Sequence, residues 1–278
     1  MSPPDSPATS RRRIAAFYAL ALGISWSVWA PWIATARAAG SDASWRPLHL
    51  VGSLGPCLAA LLVMTRWGGR ARLRGLAHGT LTAPAVRVTL FWSILAPTLA
   101  FAGSAVAMAL VKGTAVRWDR IGVVSEYPGL GRVGYVAASF LFYGIGEEVG
   151  WRGFLYPALR RPGRRVLTAA LMVVPFWALW HLPLFFATES YRAMGLRGGI
   201  GWLLSLASGS VLTAWLTDRA KGSVLPAAVL HAVLDVFFLA DVGVPVQSAL
   251  GAIVTIWGVV VAIALFRRRS TPPVQWAS

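Results

Sequence analysis

Ile14–Ala36 reads IAAFYALALGISWSVWAPWIATA, 23 residues without a charge, directly after Arg11, Arg12 and Arg13. At 1.5 Å per residue this run covers about 34 Å as a helix, enough to cross about 30 Å of hydrocarbon. A secretory signal peptide also starts with basic residues. This run is longer, carries several Trp and shows no small-residue cleavage site, so it reads as a retained first span.

The same pattern recurs along the chain. Further apolar stretches lie at Pro47–Thr65, Val88–Val111, Val133–Leu159, Val166–Thr188, Gly199–Thr217, Ser223–Ala240 and Val242–Phe266. The expected fold is therefore all-α, a polytopic transmembrane helix bundle of about eight spans. The composition agrees: of 278 residues 56% are hydrophobic and 13% charged, about half the charged share of an ordinary soluble domain. A basic N-terminal tail is expected at 1–13, N-terminal transmembrane helices at 14–129, a core at 130–240, and a final helix with a basic tail at 241–278. The single Cys57 has no partner within the chain, which excludes a disulfide-stapled class.

The formal net charge is +16, from 24 Arg and 2 Lys against 10 acidic residues. The placement of the basic residues argues against nucleic acid as a partner, because they cluster in the short segments between apolar stretches. With the N-terminus inside, the alternation puts 17 basic residues on one face and 8 on the other, with Arg152 inside the fourth span. The positive-inside rule then sets both termini in the cytoplasm of a multi-pass cell-membrane protein. Asp241 is the weakest boundary, since only a short turn separates the last two spans.

Charged side chains at bilayer depth cost about 2.5–3.5 kcal/mol each on insertion scales and call for a reason. Span four carries Glu147, Glu148 and Arg152 in GIGEEVGWRGFL (144–155), span five His181 in FWALWHLP (176–183), and span seven His231 and Asp235 in HAVLD. Glu148 and Arg152, like His231 and Asp235, are four apart and share a helical face. Glu147 is rotated about 100° from Glu148, away from that Arg. A carboxylate and two imidazoles converging from three helices could perform acid and base chemistry on water. By rise along the helices, Glu147 and His231 come to similar depth, whereas His181 lies further outward unless its helix bends at Pro175 or Pro183. His49 and His78, near span ends, are read as non-catalytic.

Taken together, E-E-x-x-x-R at Glu147–Arg152 with the following Gly153-Phe154-Leu155, an aromatic-x-x-x-His at Trp177–His181, and His-x-x-x-Asp at His231–Asp235 resemble the CAAX protease and bacteriocin-processing family. That family, also called CPBP or Abi, includes the type II CAAX prenyl endopeptidases. The resemblance covers about residues 130–240 and implies an intramembrane protease. It implies that Glu147 activates water with help from His181, and that His231 and position 235 face the oxyanion. Glu148, Arg152 and Trp177 fall in supporting places. Two positions depart from the commoner pattern: Asp235 stands where Asn is typical and Trp177 where Phe is typical. An ionised Asp cannot donate to an oxyanion, so Asp235 must be protonated, orient His231 or bind a metal.

The family is often labelled metalloprotease, and Glu147, His181 and His231 resemble a zinc-hydrolase ligand set with an open position. No H-E-x-x-H is present. The expectation is a metal-free glutamate mechanism, with Zn on those three residues as the alternative. Expected partners are the bilayer and a membrane protein or peptide substrate; the sequence leaves the oligomeric state open. The competing readings are a proton-coupled transporter, in which buried carboxylates and His also occur, and a non-enzymatic scaffold or immunity protein.

Overall fold

The computed structural model describes residues 7–39, 47–67, 86–113, 116–125, 127, 129–160 and 163–267. His78 lies outside them. Among the described residues the regular structure is helical throughout, as hydrocarbon requires of a backbone that must satisfy its own N–H and C=O groups.

Eight helical elements follow in order. They are α1 (Pro7–Ala39), α2 (Pro47–Trp67), α3 (Val86–Lys112), α4 (131–159), α5 (Val166–Trp180), α6 (Gly195–Arg219), α7 (Leu225–Leu239) and α8 (Val244–Arg267). The first begins at Pro7 and so takes Arg11, Arg12 and Arg13 into its opening turns instead of leaving them in a tail. Six segments are long and apolar enough to cross a membrane by length and composition. The two that fall short of that measure, α4 and α7, are the two that carry most of the intramembrane charge. Helix α7 has only 15 residues, about 22 Å.

The α4 run never breaks, but its winding changes. Regular turns at Gly131–Ala138, Gly146–Gly150 and Tyr156–Leu159 alternate with wider π turns at Ser139–Ile145 and Trp151–Leu155. Such widened turns occur frequently at functional sites. Here they flank the two glutamates on both sides, with no proline between 139 and 155 to cause them.

Helix α7 packs against α4, α3 and α6, while α6 also meets α5 and α8. Small residues set the closest approaches. A Cβ on Gly144 would stand 2.6 Å from Ala228 O, and one on Gly150 would stand 2.4 Å from the Pro56 side chain. Glycine at these positions lets α7 and α2 lie backbone-close to α4.

Helix α5 stops at Trp180, short of the expected Thr188. A turn and the short helix Leu184–Ala187 follow. The α1 helix holds that end: Trp26 Nε1 donates to Trp180 O at 3.0 Å, and Trp180 Nε1 donates to Ser25 Oγ at 2.7 Å. Ser25 Oγ in turn donates to Gly52 O at 2.7 Å, tying α2 to the same point. The loop after α3 docks on the α7–α8 turn. Arg120 pairs with Asp241 at 3.2 Å, Ser125 Oγ donates to Asp241 Oδ2 at 2.7 Å, and Asp241 N donates to Val123 O at 2.9 Å.

Candidate active site

The α4 helix presents its two glutamates to different partners. Glu148 Oε1 accepts from Arg152 Nη1 and from His231 Nδ1, each at 2.9 Å, so one oxygen joins the i,i+4 pair on α4 to the imidazole of α7. Glu147 is turned the other way. Its Oε2 accepts from the Trp177 indole Nε1 at 2.8 Å. All of Glu147, Glu148, Arg152, Trp177 and His181 are buried.

Trp177 sits at the middle of the constellation. The Arg152 guanidinium lies over its ring, 4.5 Å from the centroid, and the same indole is edge-on to His231 at 5.5 Å and 6.0 Å from the ring of His181. A cation over an indole face is attracted by the ring quadrupole. The indole thus bears on its face the cation that neutralises Glu148 and spends its N–H on Glu147. The resemblance placed Trp177 only in a supporting position, where Phe is typical. A phenylalanine there could stack but could not donate.

His181 is the C-cap of α5. Its Nδ1 is 2.8 Å from Trp177 O, and because a carbonyl only accepts, Nδ1 carries the proton. Nε2 of the neutral ring is therefore an acceptor. His181 sits one turn beyond Trp177, and its ring bonds back to that turn. Trp180 at 4.8 Å and Trp202 at 5.5 Å pack edge-on around it.

His231 spans two carboxylates. Nδ1 faces Glu148, and Nε2 lies 3.5 Å from Asp235 Oδ2. That second separation exceeds a normal N–H···O length, so the Nε2 edge is not saturated. Glu147 shares an electrostatic environment with His231, Asp235 and Glu148, and His181 with His231.

With Glu147 Oε2 and His231 Nδ1 engaged, the zinc alternative would fall to Glu147 Oε1, His181 Nε2 and His231 Nε2; among the described residues no three His, Cys, Asp or Glu side chains gather as a metal-ligand group. Buried polar atoms remain beside the ion pair: Glu148 Oε2, Arg152 Nε and Nη2, and Trp151 Nε1 have no hydrogen-bond partner among the described residues.

Sequence reasoning passed over one group next to the site. His49, read as a span-end residue, turns inward: its Nδ1 is 2.8 Å from the Tyr127 hydroxyl and 3.4 Å from that of Tyr143. Tyr143 lies one turn before Glu147 on α4. No local signal marked it, since the Trp29 and Trp32 rings beside it come from a different helix.

Part of this chain is similar to known proteins. Residues 129–237 match the family model for the Rce1-like type II CAAX prenyl endopeptidases. Over 93 residues the chain is 27% identical to CAAX prenyl protease 2 of Methanococcus maripaludis, which covers 32% of this chain. The match spans about a third of that curated relative, 34% of its length. The matched segment contains Glu147, Glu148, Arg152, Trp177, His181, His231 and Asp235, and over residues 129–237 the chain is similar to the Rce1-like type II CAAX prenyl endopeptidases.

Proposed function

We propose that this chain is an intramembrane endopeptidase that hydrolyses a peptide bond of a membrane-associated or lipidated protein or peptide, with water activated by Glu147 and His181. The observation that carries this reading is the single indole of Trp177, which touches Glu147, His181 and His231, groups from three helices. The name of the Methanococcus maripaludis relative, a prenyl protease, supports a substrate anchored in the bilayer by a lipid or an apolar segment. The 17 to 8 division of basic residues supports a multi-pass cell-membrane protein with both termini in the cytoplasm.

Each step follows from donors and acceptors. Glu147 Oε2 is held by Trp177, which leaves Oε1 to take a proton from water, while His181 Nε2 accepts the second water hydrogen. The water oxygen attacks the scissile carbonyl carbon, and the carbonyl electron pair moves onto oxygen. His231, protonated between Glu148 and Asp235, turns its Nε2–H to that oxyanion. Collapse breaks the C–N bond, and the proton held by Glu147 passes to the leaving amine. Asp235 accepts and does not donate in this scheme: it steers His231 and balances its charge, a place that a carboxylate fills as well as an amide.

The test is Glu147→Gln, which keeps the shape and the Trp177 contact but cannot take a proton. Membrane peptides from cells carrying either form are compared by mass spectrometry, and the substrate so identified is cleaved in proteoliposomes. Cleavage should fall about 10⁴-fold, at the upper end of a general base's contribution, with thermal unfolding unchanged. Retained cleavage would remove Glu147 from the reaction.

A further inference from the structure

His181 stands just past the end of its helix, where α5 gives way to a turn. Among the described residues its ring makes one hydrogen bond, from Nδ1 to Trp177 O at 2.8 Å. A hydrogen bond of ordinary net strength favours one orientation over another only about fivefold. Packing has to supply the rest if the imidazole is to keep one plane.

Three aromatic rings supply that packing, and their angles define a slot. Trp180 stands at 84° to the imidazole with 4.8 Å between centroids, and Trp202 at 78° and 5.5 Å. Tyr191 lies close to parallel with it, at 25° and 6.4 Å. Edge-on and offset-stacked pairs at such separations are the attractive ones for aromatic rings. Trp180 is anchored through its Nε1 to Ser25 of α1. The other two walls come from beyond the turn, Tyr191 on the short helix Glu189–Arg192 and Trp202 on α6. Thr188 fastens that connection: its Oγ1 donates to Leu184 O at 3.2 Å and accepts from Tyr191 N at 3.4 Å. Phe185 backs both walls, 4.8 Å from the ring of Tyr191 and 5.2 Å from that of Trp202.

Trp and Tyr also gather at membrane interfaces as belts, with their rings at headgroup level. Tyr191 and Trp202 differ from a belt in what they face. Both are half-buried, and each turns its ring to a buried imidazole. Trp202 thereby brings α6 into contact with a site otherwise built from α4, α5 and α7. A reacting group has to be held within about 0.5 Å and 10–20° of its productive geometry by neighbours that are themselves locked.

We propose that Trp202 and Tyr191 are positioning residues for His181, fixing the plane of its imidazole and with it the direction of the Nε2 acceptor. This rests on the endopeptidase reading, in which that nitrogen accepts a hydrogen of the attacking water.

Full-length protein in proteoliposomes is compared as wild type, Trp202→Leu, Trp202→Phe, Tyr191→Leu and Phe185→Leu, using the substrate peptide found by the membrane-peptide comparison. Trp202→Leu should lower kcat about tenfold with KM within about twofold of wild type, because a misaimed base slows the reaction without weakening binding. Trp202→Phe keeps an aromatic edge toward the imidazole and should return kcat to within about threefold. Tyr191→Leu should lower kcat about fivefold, and it decides the matter if Trp202→Leu does not fold. Phe185→Leu removes a ring of the same cluster one layer further from the imidazole, and kcat should stay within about twofold. Trp202→Leu is also made in a His181→Ala background, where it should lower the residual rate no further, since its effect passes through the imidazole.

Wild-type kcat in both Trp202→Leu and Tyr191→Leu overturns the assignment and leaves the rings as interfacial packing. So does a loss in Phe185→Leu as large as that in Trp202→Leu, or an equal loss from Trp202→Leu with and without His181. A wild type that cleaves nothing, or cleavage indifferent to His181→Ala, indicts the endopeptidase scheme instead.

Discussion

Two Arg–carboxylate constellations in this protein use the same chemistry in opposite surroundings. Glu148, Arg152 and His231 meet inside the bundle, where the Glu148 and Arg152 side chains have 0% exposure. Arg120, Asp241 and Ser125 meet where a loop crosses the α7–α8 turn, and there the Arg and Asp side chains are 33% and 24% exposed. Distance hardly separates them, at 2.9 Å and 3.2 Å. Burial does. A pair taken out of water depends wholly on its partners for compensation, whereas a wetted pair exchanges one set of polar neighbours for another. The buried constellation is thus an arrangement the fold cannot lose cheaply, and the exposed one is a fastening that a mutation can release.

The sharpest way to break this contrast is Arg152→Ala. It strands Glu148 in the interior with His231 as its remaining hydrogen-bond partner among the described residues and removes the cation from the Trp177 face. Stability in detergent should fall by about 3–5 kcal/mol, read as a large drop in the thermal unfolding midpoint. A loss below about 1 kcal/mol would mean that the interior is better hydrated than its burial indicates.

A smaller effect is expected from Trp177→Phe, which keeps an aromatic face for Arg152 but deletes the N–H that holds Glu147 Oε2. The kcat should drop about tenfold, about 1.4 kcal/mol of transition-state stabilisation, with KM little changed. An unaltered kcat would show that the hydrogen bond is incidental and that only the ring matters. The smallest effect belongs to the exposed fastening. Asp241→Asn should cost less than about 1 kcal/mol in thermal unfolding and weaken further as salt is raised in the wild type. A cost like that of Arg152→Ala would erase the distinction.

Particular residues show how far the sequence could be read. The Glu148–Arg152 bond, the turn of Glu147 away from it, and the shared face of His231 and Asp235 all follow from helix spacing, because they are contacts within one turn of one helix. Reach of Trp177 N–H to Glu147 and of His231 to Glu148 does not follow from spacing. These are contacts across 30 and 83 residues of chain, and their existence depends on how α5 and α7 are rotated against α4. The same holds for His49, whose partner Tyr127 lies 78 residues away in a loop, and for Asp241, whose partners come from the loop after α3. The widened turns of α4 carry no proline, though each contains a glycine, Gly144 and Gly153.

What the amino-acid sequence decided alone is the material of the fold: long uncharged runs that must become helices, because hydrocarbon offers their backbone no other hydrogen-bond partners. It also decided which charged groups enter the membrane and which of them share a helical face. Tertiary packing decided which glutamate receives the indole and which the arginine and imidazole. It did so by bringing α2 and α7 backbone-close to α4 at glycines and rotating α5 so that one ring faces all three polar groups. Spacing along a helix fixes neighbours within about 6 Å, whereas relations between helices are fixed only when their surfaces interlock.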